Sequence, residues 1–164
     1  MKAILDVHYE PTIAHAACVV FEHWSDERPV TTHRLQVPGV RPYRPGRFFE
    51  RELPPLLAIL EATNENFDHI IVDGYVYLED DAVGLGGRLY ESLPRSCAVI
   101  GVAKKPLAIA DQFEAIHRGR SSKPLFVSAI GLDAGAATTA IASMHGPHRI
   151  PTLLHLADRI ARGN

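Results

Sequence analysis

The sequence has few of the features that mark secreted, membrane-spanning or metal-knuckle proteins. Its 164 residues include only two cysteines, Cys18 and Cys97, which lie in apolar segments without metal-motif spacing. We therefore expect buried, reduced thiols rather than a disulfide framework or a zinc site. No apolar run reaches the roughly 18 residues that a membrane helix needs, and no signal-peptide pattern is present. These absences lead us to expect a cytosolic protein with no membrane partner.

The chain also lacks an excess of positive charge, which excludes a uniformly basic nucleic-acid coat protein. The formal net charge is −2, whereas such proteins are strongly basic. The basic residues nevertheless fall into short groups, and these can hold a phosphate backbone on a nearly neutral protein. The groups are Arg41, Arg44, Arg47 and Arg51; Lys104 and Lys105; and Arg118, Arg120 and Lys123.

The composition is that of one globular domain. Hydrophobic residues make up 46% of the chain and charged residues 22%, which is enough apolar surface for a real core. No repeat, linker or low-complexity tract divides the chain. We therefore expect a single domain over residues 1–164.

The stretch 68–74, Asp-His-Ile-Ile-Val-Asp-Gly, organises the rest of the sequence. Its three β-branched residues predict a strand buried on both faces. The strand ends on Asp73 and Gly74, and open α/β sheets place ligand chemistry at such ends. Alone, Asp73 could equally well start a turn. Two further acids favour a site: Asp6 lies inside an apolar strand, and Glu52 lies at a predicted helix start.

The predicted elements follow one another in a recognisable order. Three antiparallel strands (2–9, 12–24 and 30–37) precede a helix over 48–62, whose true start lies nearer Glu52 because Pro54 and Pro55 suit a first turn. The remaining predictions are a strand at 69–72, a glycine-weakened helix at 83–93, a strand at 98–103, a hairpin over 113–130, and helices at 132–144 and 151–162. This is the order of a ribonuclease H-like α/β fold, with a mixed central sheet flanked by helices.

The same order predicts a metal site. In this arrangement the first strand lies beside the fourth, so Asp6 and Asp73 face each other across the sheet. Two neighbouring carboxylates repel unless a cation lies between them. Hard oxygen ligands of this kind suit Mg²⁺ or Mn²⁺.

Motifs spread over nearly the whole chain carry a resemblance to a known family. They are Asp6-Val7, the loop Pro42-Tyr43-Arg44-Pro45-Gly46, Arg51-Glu52, Val72-Asp73-Gly74, Ile100-Gly101-Val102-Ala103-Lys104-Lys105, Lys123-Pro124-Leu125-Phe126-Val127-Ser128 and Arg149-Ile150-Pro151-Thr152. Together they resemble endonuclease V, a metal-dependent nuclease family that recognises deaminated purines, chiefly hypoxanthine in inosine or deoxyinosine. The tyrosine loop and the Gly-Val-Ala-Lys segment are its specific motifs.

The resemblance implies roles for particular residues. Asp6, Glu52 and Asp73 would be the ligands of Mg²⁺ or Mn²⁺, and Lys104 would be the active-site lysine near the scissile phosphate. Tyr43 would be the wedge that enters a duplex. Further contacts to nucleic acid are expected from Arg44, Arg47, Gly74 and Lys105. The implied partner is DNA or RNA with a modified base, and the choice between the two stays open.

The chain departs from the family pattern at two histidine positions. Glu79, in the acidic run 79–81, stands where the family has a histidine after its Val-Asp-Gly. The stretch 130–133, Ile-Gly-Leu-Asp, stands where the family has Gly-His. An alternative is therefore a nucleic-acid-binding or scaffold protein on the same fold that no longer cleaves. A third interpretation is a nuclease of altered specificity.

Asp133 has two interpretations. As a helix N-cap it would accept an orphan backbone N–H. Alternatively, a slip in the turn at Ile130-Gly131 would make it a fourth acid of the metal site, because glycine tolerates unusual dihedral angles.

The wedge role implied for Tyr43 can be tested directly. Tyr43→Ala should weaken binding to a duplex with a modified base more than binding to a single strand, because only the duplex requires a stacked base to be displaced. Fluorescence anisotropy with both substrates measures the difference. Equal losses on the two substrates would count against a wedge.

Overall fold

A computed structural model describes residues 1–40, 42, 48–78, 82–93, 97–107 and 113–164. In chain order its elements are β1 (Lys2–Tyr9), β2 (Ile13–Phe21), β3 (Thr31–Pro38), α1 (Phe48–Thr63), β4 (His69–Asp73), α2 (Leu85–Ser92), β5 (Ala98–Ala103), β6 (Glu114–Ile116), β7 (Leu125–Ile130), α3 (Ala134–Ser143) and α4 (Thr152–Arg162). Within these residues no helix is long and apolar enough to cross a membrane. The described cysteines are both free, with Cys18 buried and Cys97 half-buried.

The strands form one seven-stranded sheet in the order β3-β2-β1-β4-β5-β7-β6. β1 pairs antiparallel with β2 and parallel with β4, so the predicted neighbours are confirmed. β5 is parallel to β4, and β7 returns antiparallel to β5. In the β1–β4 register Leu5 lies opposite Val72. The next residues of the two strands, Asp6 and Asp73, therefore lie at the same edge of the sheet.

Helices cover both faces of the sheet, and each face has its own apolar core. One core packs α1 and α2 on Ala3, Leu5 and Val72. The other packs α3 and α4 on Ile4 and Ile71. This division follows from the period of two along a strand, which sends neighbouring side chains to opposite faces. The central strands are consequently apolar on both sides up to Leu5 and Val72, where the β1–β4 pairing ends, and the acids Asp6 and Asp73 follow directly.

Helix α1 begins earlier than its prolines suggest. The expected start near Glu52 is wrong, because the helix already runs from Phe48, with both prolines inside it. Pro55 has no N–H to donate to the carbonyl of Arg51, four residues earlier. The Tyr9 hydroxyl donates to that carbonyl instead, at 3.1 Å. The helix is thus tied to β1 one residue before Glu52.

The turn after β4 fits closely over β5 because Gly101 has no side chain. A Cβ at Gly101 would lie 2.4 Å from the Gly74 carbonyl oxygen and 2.8 Å from Ser128 Oγ. Ser128, on β7, is buried, and its hydroxyl accepts the Val76 N–H at 3.0 Å. Contacts with β5 and β7 therefore fix the conformation of the backbone that follows Asp73.

Gly101→Ala should lower the free energy of unfolding by about 1–3 kcal/mol, because its methyl group collides with backbone that cannot move away. Gly135→Ala, in the first turn of α3, is the matched control. There the nearest atom to the new Cβ is a side-chain oxygen of Asp133 at 3.2 Å rather than backbone, and alanine favours a helix. Urea denaturation measures both variants. Equal stability of the two would show that the turn adapts freely.

Candidate functional site

The carboxyl ends of β1, β4 and β5 bring together two acids and a lysine. Asp73 is the last residue of β4 and lies opposite Val102 of β5. Lys104, just beyond β5, donates from Nζ to Asp73 Oδ2 at 2.7 Å. Both side chains are about half exposed, at 49% and 50%. The pair therefore faces solvent and can contact an incoming anion.

Two cavities meet at Asp6 and Asp73. The first, of about 280 Å³, lies between the sheet and α4 and is also bordered by Lys104, His155 and Asp158. The second, of about 130 Å³, lies on the α1 face and is also bordered by Tyr9 and Glu52. The two aspartates thus stand between a cavity on each side of the sheet edge, and four carboxylates border this space.

Asp6 is a partly buried acid with few stabilising contacts. Burial raises its pKa to about 6, and the negative charge of Asp73 adds to the rise. The Val7 N–H, which donates to Asp6 Oδ1 at 2.9 Å, acts in the opposite direction. Lys104 also lowers the pKa, but it is a smaller influence than burial. Asp6 is therefore a group that a second cation would stabilise in its charged form.

Glu52 is the most buried of these acids, with 8% of its surface exposed. Burial raises its pKa to about 7, a hydrogen bond from Tyr9 lowers it, and the charges of Asp6 and Asp73 raise it again. The Tyr9 ring is itself covered by the Arg51 guanidinium, 3.9 Å from the ring centre. Tyr9 thus contacts Glu52 through its hydroxyl group and the neighbouring Arg51 through its ring.

Lys104 has a raised pKa and stays protonated at neutral pH. Partial burial of the ammonium group opposes this, but the hydrogen bond and charge of Asp73 outweigh it, with Asp6 and Asp158 adding to the effect. Asp158, on α4, accepts from Arg162 Nε at 2.9 Å. The cavity beside α4 therefore contains both cations and anions.

The donor set fits a hard divalent cation chemically. Carboxylate oxygens are the preferred ligands of Mg²⁺ and Mn²⁺, and the raised pKa values of Asp6 and Glu52 show acids that are short of positive charge. These carboxylates do not yet form a complete metal site, however. Within the described part of the chain, no three His, Cys, Asp or Glu side chains converge tightly enough to hold a metal ion. Asp73 is meanwhile paired with Lys104.

The expected nucleic-acid residues are placed unevenly. Tyr43, Arg44, Arg47 and Glu79 lie outside the described residues, so their roles stay predictions. Gly74 has a φ of +142°, which glycine adopts readily, and its N–H donates to Val102 O at 3.1 Å. Lys105 is exposed beside Lys104, and its carbonyl accepts the Tyr75 hydroxyl at 2.6 Å.

The structure contradicts a metal-binding role for Asp133. β7 is antiparallel to β5, so its last residue, Ile130, lies opposite Val99 near the start of β5. Asp133 follows at that end of the sheet, away from Asp73. Its carboxylate accepts the Ala136 N–H at 3.0 Å and caps α3. The cap interpretation is therefore the one observed.

Sequence reasoning missed a late carboxylate that does reach the site, Asp158. Leu153, Ala157 and Ala161 form the buried stripe of α4. Asp158 lies next to that stripe and borders the cavity together with His155. The sequence did show that Asp158 lies next to an apolar stripe of a predicted helix. That pattern does not show which part of the sheet the helix crosses, so it could not place Asp158 at the site.

A mixed sheet of this order, with acids at the adjoining ends of β1 and β4, defines a ribonuclease H-like protein. The sequence profile described as "Endonuclease V" matches residues 3–128. The chain therefore belongs to the endonuclease V family. A curated endonuclease V from Xylella fastidiosa (strain Temecula1 / ATCC 700964) is 34% identical over 91 residues, which is 56% of this chain and 37% of that protein. The match thus spans little more than a third of the relative's length.

Solved structures show the same fold over the whole chain. Endonuclease V from Ciona intestinalis, in complex with a 24mer DNA containing an inosine followed by a ribo-adenosine, has a TM-score of 0.81 at 20% identity and covers 99% of this chain and 84% of its own. Endonuclease V from Streptomyces avermitilis has a TM-score of 0.78 at 25% identity, with coverages of 99% and 79%.

The raised pKa values predict that the metal-free protein loses stability as pH rises. The pKa of Asp6 rises from 3.8 to about 6, and the pKa of Glu52 rises from 4.5 to about 7. Because the folded state holds these protons more tightly, this contribution is complete below about pH 4 and lost as pH rises through about 7. Asp6→Asn and Glu52→Gln should each raise Tm more at pH 8 than at pH 5.

Differential scanning calorimetry in EDTA measures this effect. Glu27→Gln, in the exposed β2–β3 turn, removes one negative charge far from the site and is the control. If the Asp6 and Glu52 variants gain no more than the control at pH 8, the carboxylates do not repel one another in the folded protein.

Proposed function

We propose that residues 1–164 form one endonuclease V-like domain that hydrolyses a phosphodiester bond near a deaminated purine, inosine or deoxyinosine, in DNA or RNA, with Mg²⁺ or Mn²⁺. The observation that carries the proposal is the meeting of Asp6, Asp73 and Lys104 at the joined ends of three strands, between two cavities. Acids that require a cation, next to a lysine that can contact an anion, suit a substrate that is a phosphodiester.

The residues around the site would have different roles in the proposed reaction. Asp6 and Asp73, with Glu52 on one side and Asp158 on the other, would hold the metal, which would neutralise charge on the attacking and leaving oxygens. Lys104 stays protonated and is half exposed, so its ammonium group can donate to a non-bridging phosphate oxygen. Tyr9 keeps Glu52 at the α1 side of the site. Arg162 positions Asp158 by an ion pair along α4.

Similar proteins support the choice of substrate. The Ciona intestinalis endonuclease V was crystallised with DNA containing inosine, and this chain matches the family profile over residues 3–128. A base read in a pocket must leave the stack. The loop with Tyr43, Arg44 and Arg47 and the exposed Lys105 are the residues we propose for contacts to the strand, with Gly74 allowing close approach at the site.

A second candidate is a protein that binds nucleic acid on this fold without cleaving it. The observation that favours it is the ion pair between Lys104 and Asp73. The Asp73 oxygen in this pair would have to be free in order to bind a metal ion. In that case the lysine would be the permanent counterion of the acids. The two candidates differ in whether Mn²⁺ displaces the lysine and activates the site.

Asp73→Asn and Asp158→Asn should each reduce cleavage of an inosine-containing strand at least about 100-fold in Mn²⁺, because each removes a charge at the proposed metal site. Labelled strands containing inosine, deoxyinosine or neither are incubated with each protein and resolved on denaturing gels. Isothermal titration calorimetry measures Mn²⁺ binding on the same samples.

Asp133→Asn is the matched control, because asparagine also caps a helix and Asp133 lies at the other end of the sheet. It should cleave and bind Mn²⁺ like the parent protein. If the parent protein binds labelled strands but leaves all of them intact, the binding-only function replaces the nuclease.

A further inference from the structure

The segment after β5 and the β6–β7 turn present exposed positive charge beside the candidate site. We propose that Lys105, Arg120 and Lys123, hereafter the lateral basic surface, bind the phosphate backbone of the nucleic-acid strand as it leaves that site. The proposal rests on the proposed function, since it gives the substrate strand a path. It also adds Arg120 and Lys123, which border neither of the two cavities and to which the family resemblance gives no role.

Arg118 makes this surface rigid rather than contributing charge to it. The sequence groups it with Arg120 and Lys123, but its side chain is buried, with only 7% of the residue exposed. Its guanidinium donates to the carbonyl of Met144 and, at 3.1 Å, to that of His148. The buried guanidinium thereby binds several carbonyl oxygens of the α3–α4 loop. The turn that carries Arg120 is fixed against that loop.

A close backbone contact strengthens this attachment. Gly119 has a φ of +59°, and a Cβ there would lie 2.2 Å from the Pro147 carbonyl oxygen. The turn and the loop therefore touch through backbone, which leaves no room for a side chain. Arg120, the next residue, therefore follows backbone that is held against the α3–α4 loop, and it is exposed.

Arg149 joins the same region to the candidate site. Its guanidinium donates to the Lys104 carbonyl at 2.6 Å and to the Pro124 carbonyl at 2.6 Å. One side chain therefore connects the residue before Lys105 with the residue after Lys123. The active-site lysine and the lateral basic surface belong to one continuous, hydrogen-bonded piece of the protein.

No ion pair among the described residues neutralises the charge of this surface. Residues 104–107, 115–124 and 142–151 contain no Asp or Glu. Lys105, Arg120 and Lys123 are exposed, and among the described residues none of the three has an ion-pair partner. Lys104, by contrast, is paired with Asp73. The three free cations are thus available to an external anion.

The phosphate backbone of a strand is the partner that fits best. A membrane or protein partner would normally offer the surface apolar contacts as well. In the described part of the chain the only large apolar side chain that is well exposed is Val30, which lies in the β2–β3 turn at the opposite end of the sheet. A row of cations that starts at a phosphodiester site suits repeated phosphates.

The test compares Arg120→Ala/Lys123→Ala with the unchanged protein in binding to labelled single strands that contain one inosine. EDTA prevents cleavage, and anisotropy is followed as salt rises. Each lost phosphate contact should lower the slope of log affinity against log salt by about 0.7 on a single strand, so the double variant should lose about 1.4. The loss should appear on a strand of about 30 nucleotides and vanish on one too short to leave the site.

Arg28→Glu is the matched control. It changes net charge by the same amount as the double variant but lies in the exposed turn between β2 and β3. It should keep the slope of the parent protein. The pair Arg120→Gln/Lys123→Gln, which retains longer side chains, should reproduce the alanine result and guards against a local packing effect.

The outcomes separate this proposal from the proposed function. An unchanged slope for both double variants overturns the lateral basic surface, even if the parent protein cleaves inosine strands. A reduced slope in a parent protein that cleaves nothing keeps the surface and removes the nuclease. A parent protein that binds no strand at all overturns both.

Discussion

Repulsion between carboxylates is the constraint on which the rest of this structure depends. The sheet brings Asp6 beside Asp73, and helices from both faces add Glu52 and Asp158. Burial raises the pKa values of Asp6 and Glu52, since each carboxyl group loses contact with water and gains a negative neighbour. Lys104 supplies a cation directly against Asp73, and Arg162 supplies one against Asp158. An arrangement of this kind favours any cation that can enter, and that is the physical basis of the metal dependence proposed above.

The surrounding structure holds this cluster together against its own repulsion. Pro55 leaves the Arg51 carbonyl free, Tyr9 occupies it, and Glu52 is thereby kept beside β1. On the other side Gly101 and Ser128 fix the backbone after Asp73. Arg149 ties the Lys104 backbone to the start of β7. Each contact pins backbone rather than the charged atoms themselves. The charged atoms themselves are bonded separately, Asp73 by Lys104 and Asp158 by Arg162.

The order of the elements along the chain could be predicted because its signals are local, and the pairing of β1 with β4 followed from the ribonuclease H-like fold that this order indicates. Ile70, Ile71 and Val72 define a strand buried on both faces, and its end places Asp73 without reference to any other segment. The start of α1 was predicted wrongly because Pro55 looks like a first-turn residue until Tyr9 is seen to replace its missing hydrogen bond. Asp133 was left open between two roles, and the antiparallel course of β7 decided for the cap. Arg118 looked like a surface charge and proved to be the buried centre of a loop.

The sequence by itself determined the order of the elements, the two acids at strand ends, the lysine after β5 and, through its motifs, the family. All of these depend on residues close together in the chain or on matches along it. Only the tertiary structure decided that Asp158 joins the site while Asp133 does not, and that Arg120 and Lys123 adjoin Lys104 through Arg149. The physical reason is that helix crossing and strand direction are set by packing of whole faces. A side chain's own neighbours in sequence carry no information about which distant surface that packing will bring against it.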